Sequence, residues 1–193
     1  MARPLCPLCG QHPNICVCAD CASVANRRRL LILQHPSEVG HSKGTVRLLQ
    51  QCLQNIEVLV GESPASFDAL GLEQRLQHPG TGLLFPGPDS QPLTAESARD
   101  IEQWLVLDGT WRKAAKILYG NPPLATLPSF HFVDAPTSGY RIRKAPKAGQ
   151  LSTAEAVAHL LSVTEPGLNT QPLLQAQQAL VEKLLAFVPP EHR

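Results

Sequence analysis

Short apolar runs separated by helical stretches organise the chain. Leu30-Leu31-Ile32-Leu33 is uninterrupted and ends at Gln34-His35-Pro36, the shape of a buried strand that leaves its sheet at a proline. Val46, Leu49, Leu53 and Ile56 recur at helical spacing, and Ile56-Glu57-Val58-Leu59-Val60 predicts the next strand. Leu83-Leu84-Phe85-Pro86 and Trp104-Leu105-Val106-Leu107 are two more apolar runs. They stop at the turn-forming segments Gly87-Pro88-Asp89 and Asp108-Gly109-Thr110. Two helices with apolar stripes are predicted to close the chain, over about 153–161 and 171–187. Strands alternating with helices predict an α/β domain with a mainly parallel sheet and helices on both faces. Ligands of such sheets lie beyond the carboxyl ends of the strands, so His35, Pro86 and Asp108 are expected on one rim. No internal repeat or low-complexity segment interrupts the pattern.

Composition narrows this picture. The 193 residues, 43% hydrophobic and 17% charged, suit one α/β domain with a small appendage. No apolar run approaches the roughly 20 residues needed to cross a bilayer, and residues 1–21 lack the apolar stretch of a signal peptide. A cytoplasmic protein without a membrane role is expected, and no protein partner is evident. In that reducing setting cysteines are metal ligands more readily than disulfides. Net charge is only +1, from 17 Lys and Arg against 16 Asp and Glu, so any contact with RNA must rest on local patches.

Five of the six cysteines fall within the first 21 residues, which sets off residues 1–22 as a small zinc-binding module from a domain spanning 23–193. Zinc takes four thiolates in a tetrahedron, and Cys6-Pro-Leu-Cys9 lets two of them meet one ion from a single turn. Spacing alone leaves two pairings open: Cys6, Cys9, Cys16 and Cys18, or a set using the second CxxC of Cys18 and Cys21. With no vacancy implied for water, the site is expected to be structural. Cys52, in a helical pattern, reads as a small buried apolar residue.

The chemistry concentrates in Asp108-Gly-Thr-Trp-Arg-Lys-Ala-Ala-Lys116, directly after a buried strand. Gly109 permits a tight turn, Thr110 can cap a helix, and Arg112, Lys113 and Lys116 give that helix a basic face. Asp108 stands where a sheet places a catalytic carboxylate, although a capping aspartate beside a core tryptophan has the same local pattern. The segment resembles the signature of the DTW-domain family, through Asp108, Thr110 and Trp111. In the same order the chain is similar to that family at Cys6-x2-Cys9-x6-Cys16-x-Cys18, Gln34-His35-Pro36-Ser37-Glu38, Leu84-Phe85-Pro86, Tyr140-Arg141-Ile142-Arg143 and Leu151-Ser152-Thr153-Ala154-Glu155-Ala156. It departs at Gly44-Thr45, where many relatives carry Asn-Thr.

The resemblance implies a tRNA-uridine aminocarboxypropyltransferase, related to the SPOUT methyltransferases and carrying their C-terminal trefoil knot. Such an enzyme transfers the 3-amino-3-carboxypropyl group of S-adenosylmethionine to uridine N3 and leaves methylthioadenosine. It implies the zinc set Cys6, Cys9, Cys16 and Cys18, with Cys21 as an extra. Asp108 is the expected base. Leu84, Phe85, Pro86, Gly87, Gly109, Thr110, Trp111, Leu151, Ser152 and Thr153 are expected to hold the co-substrate, although Ser152 with Glu155 also has the pattern of a helix cap. Tyr140, Arg141, Arg143, Lys144, Lys147 and Arg112 are expected to meet tRNA, the tyrosine offering a ring to a splayed base. The rival functions are methyl transfer to RNA by the same kind of fold and a non-enzymatic zinc-ribbon RNA-binding protein.

Overall fold

A computed structural model of the chain describes residues 4–142 and 150–189. Six strands form one sheet in the order β2-β1-β5-β3-β6-β4, and every pairing is parallel. Strand β1 is Arg29–Gln34, β2 is Ile56–Val60, β3 is Thr81–Leu84, β4 is Gln91–Pro92, β5 is Gln103–Asp108 and β6 is Ser129–His131. The expected third strand, Leu83 to Pro86, lies two residues earlier. Its chain leaves the sheet before Phe85, whose ring packs on the cluster at the opposite face from Leu84. Strands β4 and β6, two and three residues long, are too short to leave a periodic signal.

Helices cover both faces, and the period-two alternation of the strands assigns side chains to each. Leu30, Ile32, Trp104 and Val106 pack with α1 (Val46–Cys52), α6 (Thr153–Thr164) and α7 (Gln171–Leu185). Leu31, Leu33, Leu83 and Leu105 pack against the shorter α2 (Pro64–Asp68), α3 (Leu72–Leu76), α4 (Trp111–Gly120) and α5 (Pro122–Ala125). Leu30 to Leu33 are wholly buried, so each removes its entire side chain from water, worth about 1.5–3 kcal/mol apiece.

Polar side chains then fix where the helices start and stop. Ser152 caps α6 by accepting from the Glu155 amide at 3.1 Å, and the Glu155 carboxylate accepts in return from the Ser152 amide at 2.7 Å. At the other end of α6, buried Glu165 accepts from the amides of Arg27 and Arg28, both at 2.9 Å. The Arg28 guanidinium donates to Thr164 and Ala98 carbonyls, and Arg29 pairs with Glu57, so this arginine run secures the entry to β1.

The cysteine-rich segment rests on α1 and α7. Val17 is buried with Leu48 and Leu180, Gln11 reaches the Gly40 carbonyl at 3.3 Å, and Lys183 donates to the Cys16 carbonyl.

Candidate active site and metal centre

Strand register brings the rim together. Gln34 and Asp108 are directly paired at the carboxyl ends of β1 and β5, on the face covered by α6. The Asp108 carboxylate is buried and accepts at both oxygens, from Gln34 Nε2 at 2.9 Å and from Thr153 Oγ1 at 2.5 Å. Among the described residues no Lys, Arg or His forms an ion pair with it. Thr153 is the first residue of α6, and the next amide, Ala154, donates to buried Thr45 Oγ1 at 3.2 Å. The loop after β5, the start of α6 and the end of β1 therefore meet around one carboxylate.

The rim beside it is charged but internally compensated. His35 Nε2 contacts Glu62 Oε2 at 2.8 Å, and its Nδ1 accepts from the Ser37 amide at 3.1 Å. Lys116 pairs with the other oxygen of Glu62, and Lys113 with Glu38 at 2.7 Å. The Lys116 ammonium first, and then His35, hold the Glu62 carboxyl below the usual carboxylate range, against the opposing effect of burial. His35 and Pro86 lie just beyond the ends of β1 and β3, and Asp108 ends β5, as the alternation of elements predicts.

Trp111 opens α4 with half its surface exposed, its ring edge-on to Phe85 at 5.9 Å. Thr110 occupies the N-cap position of α4, but its side chain makes no capping hydrogen bond, contrary to expectation. At Gly109 an added Cβ would meet Lys113 Cβ at 3.0 Å, tighter than side chains ordinarily pack, so the turn from β5 into α4 suits a glycine. Pro86 and Gly87 lie exposed beyond β3, while Leu84, Phe85, Leu151 and Thr153 are half buried. Ser152 differs: its hydroxyl serves the helix cap and also donates to Gln177 Oε1.

The expected RNA strip is corrected at Tyr140. Its ring is 2% exposed and its hydroxyl donates to the Lys43 carbonyl, so a splayed base cannot stack on it. Glu155 causes this burial by accepting from the Gly139 amide at 2.8 Å and from Ser138 Oγ, which draws the loop down onto α6. Arg141 and Arg112 are exposed, whereas Arg143, Lys144 and Lys147 lie outside the described residues. Lys43, which sequence reasoning missed, joins the strip by donating to the Ile142 carbonyl at 3.0 Å. Gln34 and Thr45 stand in the family-like segments 34–38 and Gly44-Thr45, but sequence reasoning gave neither a role at the site. A polar residue ending an apolar run was a further signal for Gln34.

The thiols of Cys6, Cys9, Cys16 and Cys18 lie within 4.8 Å of one another and could hold a metal ion. Two separations are 3.9 Å (Cys6 to Cys18) and 3.7 Å (Cys9 to Cys16). A tetrahedron with zinc–sulfur bonds of about 2.3 Å has edges of about 3.8 Å, so the set fits that geometry. Amides of Cys9 and Leu8 draw the Cys6 thiol down to about 6, favouring its thiolate, while burial pushes Cys18 up. Half-buried Arg47 lies nearby; burial lowers its pKa, and the thiols, Cys9 foremost, oppose that shift. Cys21 is elsewhere: its thiol donates to the Val17 carbonyl at 3.3 Å and is pushed up first by its Cys52 neighbour and then by burial. Cys52 is buried in the core, as its helical pattern predicts.

Fold and site together define a parallel α/β protein with a carboxylate-bearing rim and a four-thiol centre. A family model described as "DTW domain" matches residues 3–185, and the chain belongs to that family. It is 33% identical over 169 residues to tRNA-uridine aminocarboxypropyltransferase 2 of Drosophila melanogaster, covering 84% of this chain and 67% of the relative. Identity to the protein of the same name in Macaca fascicularis is 30% over 186 residues, 92% of this chain and 62% of the relative. The Arabidopsis thaliana tRNA-uridine aminocarboxypropyltransferase A is 28% identical over 202 residues, with shares of 85% and 74%. This chain thus spans less than two thirds of the Macaca relative's length. No solved structure matches it.

Proposed function

We propose that this chain transfers the 3-amino-3-carboxypropyl group of S-adenosylmethionine to N3 of a uridine in tRNA, releasing methylthioadenosine. The observation that carries the reading is Asp108: a buried carboxylate at the strand ends, held among the described residues by the neutral donors Gln34 and Thr153, in a chain whose relatives bear the matching name. S-adenosylmethionine supplies the carbon that N3 attacks, the N3–C bond forming as the C–S bond breaks. Asp108 takes the N3 proton, without which the imide nitrogen is a poor nucleophile. A carboxylate also suits the neighbourhood of a sulfonium. Leu84, Phe85, Pro86, Gly87, Gly109, Thr110, Trp111, Leu151 and Thr153 hold the co-substrate on this rim. Ser152 contributes by capping α6 and so setting the position of Thr153.

Arg112 and Arg141, with Arg143, Lys144 and Lys147, take the tRNA phosphates. The thiol set of Cys6, Cys9, Cys16 and Cys18 holds a structural zinc in a module over 1–22, docked on a catalytic domain over 23–193. Five cysteines within 21 residues suit a reducing, cytoplasmic setting. A SPOUT-like C-terminal knot belongs to the same reading, and the Thr153–Asp108 contact supports it by bringing the 150–153 segment to the rim. The test is mass spectrometry of nucleosides from tRNA incubated with the protein and S-adenosylmethionine. Aminocarboxypropyl-uridine with methylthioadenosine is expected. Methyluridine with S-adenosylhomocysteine would instead mean methyl transfer. A calorimetric titration showing no affinity for S-adenosylmethionine would leave only an RNA-binding protein.

A further inference from the structure

Gln34 is an anomaly in its strand. The four residues before it are apolar and wholly buried, and it is itself 8% exposed. A buried amide costs free energy unless its hydrogen bonds are made. Its Nε2 makes one, to Asp108 Oδ2 at 2.9 Å across a directly paired position of β1 and β5. The identity of this partner matters. An arginine or lysine here would also hold the carboxylate, but it would compensate the charge and depress its basicity. An amide NH2 also favours the charged form through its hydrogen bond, but it carries no net charge, so it fixes the oxygen without cancelling the charge of the carboxylate. Thr153 does the same for Oδ1 from the first residue of α6.

We propose that Gln34 is a positioning residue that acts through Asp108, aiming its carboxylate out of the rim without neutralising it. This rests on the reading of Asp108 as the base. It explains why a polar side chain terminates β1, and it joins the sheet to the chemistry by a contact that any slip in strand register would break.

The experiment is a double-mutant cycle on the full chain with tRNA and S-adenosylmethionine. Gln34→Met keeps the length of the side chain and removes its donor. It should lower kcat by roughly ten- to a hundredfold, the scale of a misplaced reacting group, with KM for both substrates within about twofold. In the Asp108→Asn background the same change should cost less than about twofold more, since nothing remains to be aimed. Melting temperatures form a second cycle that needs no activity, run with Asp108→Ala, which removes the acceptor that asparagine would keep; a coupling of about 2 °C or more is expected for this buried pair. Thr153→Val, which removes the other donor at constant shape, is measured alongside and stands in if Gln34→Met does not fold. A Gln34→Met protein with wild-type kcat overturns the proposal, as does equal loss in both backgrounds, which marks a merely structural residue. If the wild type makes no product, or Asp108→Asn turns over normally, the base assignment falls and the positioning role falls with it. The melting cycle then separately reports whether the Gln34–Asp108 contact exists.

Discussion

A carboxylate at a strand end can cap the next helix or serve the chemistry, and Asp108 makes the distinction measurable. Its two oxygens accept from Gln34 and Thr153, neither of which belongs to α4. An asparagine can keep both contacts, its oxygen accepting from Gln34 and its amide donating to Thr153 Oγ1. Asp108→Asn is therefore expected to keep its melting temperature and cofactor affinity while product formation falls by about a hundred- to ten-thousandfold, as when a general base is lost. Normal turnover would send the search for the base elsewhere. A second carboxylate answers to pH. The Arg75 guanidinium, and then Arg29, hold Glu57 below its ordinary range, against the opposing effect of burial. Because its folded pKa is depressed, its contribution to stability is complete above the unfolded value near 4.3 and is lost as pH falls through the folded value. Melting temperatures of wild type and Glu57→Gln should thus differ at pH 6 and converge toward pH 3.

At the level of elements, α6 connects the site to the rest of the molecule. Its N-terminus presents Thr153 to Asp108, and its C-terminal neighbour Glu165 accepts two buried amides from the entry to β1. Glu165→Ala strands those donors, and bonds to a charged acceptor contribute about 1.5–3 kcal/mol each. A drop in melting temperature of roughly 6–20 °C is expected by calorimetry at two such bonds. The cysteine segment has little core of its own beyond Val17 against Leu48 and Leu180, so a metal held by its four thiols would supply much of its stability. Replacing Cys6 and Cys9 with serine should lower metal content, stability and tRNA affinity together, because metal binding supplies the folding energy of so small a module. Loss of catalysis with fold, metal content and tRNA binding intact would instead place the metal in the reaction.

Across the whole molecule, charge is almost balanced, and two basic side chains near the rim are already paired, Lys113 with Glu38 and Lys116 with Glu62. The proposed binding of tRNA would then draw on exposed cations, among them Arg112 and Arg141. Each phosphate contact removed should flatten the dependence of log K on log salt by about one unit. An Arg112→Ala, Arg141→Ala protein with an unchanged slope would move the RNA path off this rim.

The apolar runs by themselves determined that β1, β2 and β5 exist, that the sheet is parallel, and that Asp108 stands at a strand end. Four continuous apolar residues between turn signals are the length of a strand and too short for a helix. Cysteine spacing left two candidate ligand sets, and the family resemblance implied Cys6, Cys9, Cys16 and Cys18. The fold brings those four thiols together and turns Cys21 toward Val17 and Cys52. It also decided what the rim is made of. Gln34 meets Asp108 through strand register, Thr153 meets it from 45 residues away along the chain, and Tyr140 is buried because Glu155 draws its loop inward. Such contacts join residues far apart in sequence, and local propensity carries no record of them. Which side chain satisfies a buried polar group is settled only when the elements pack.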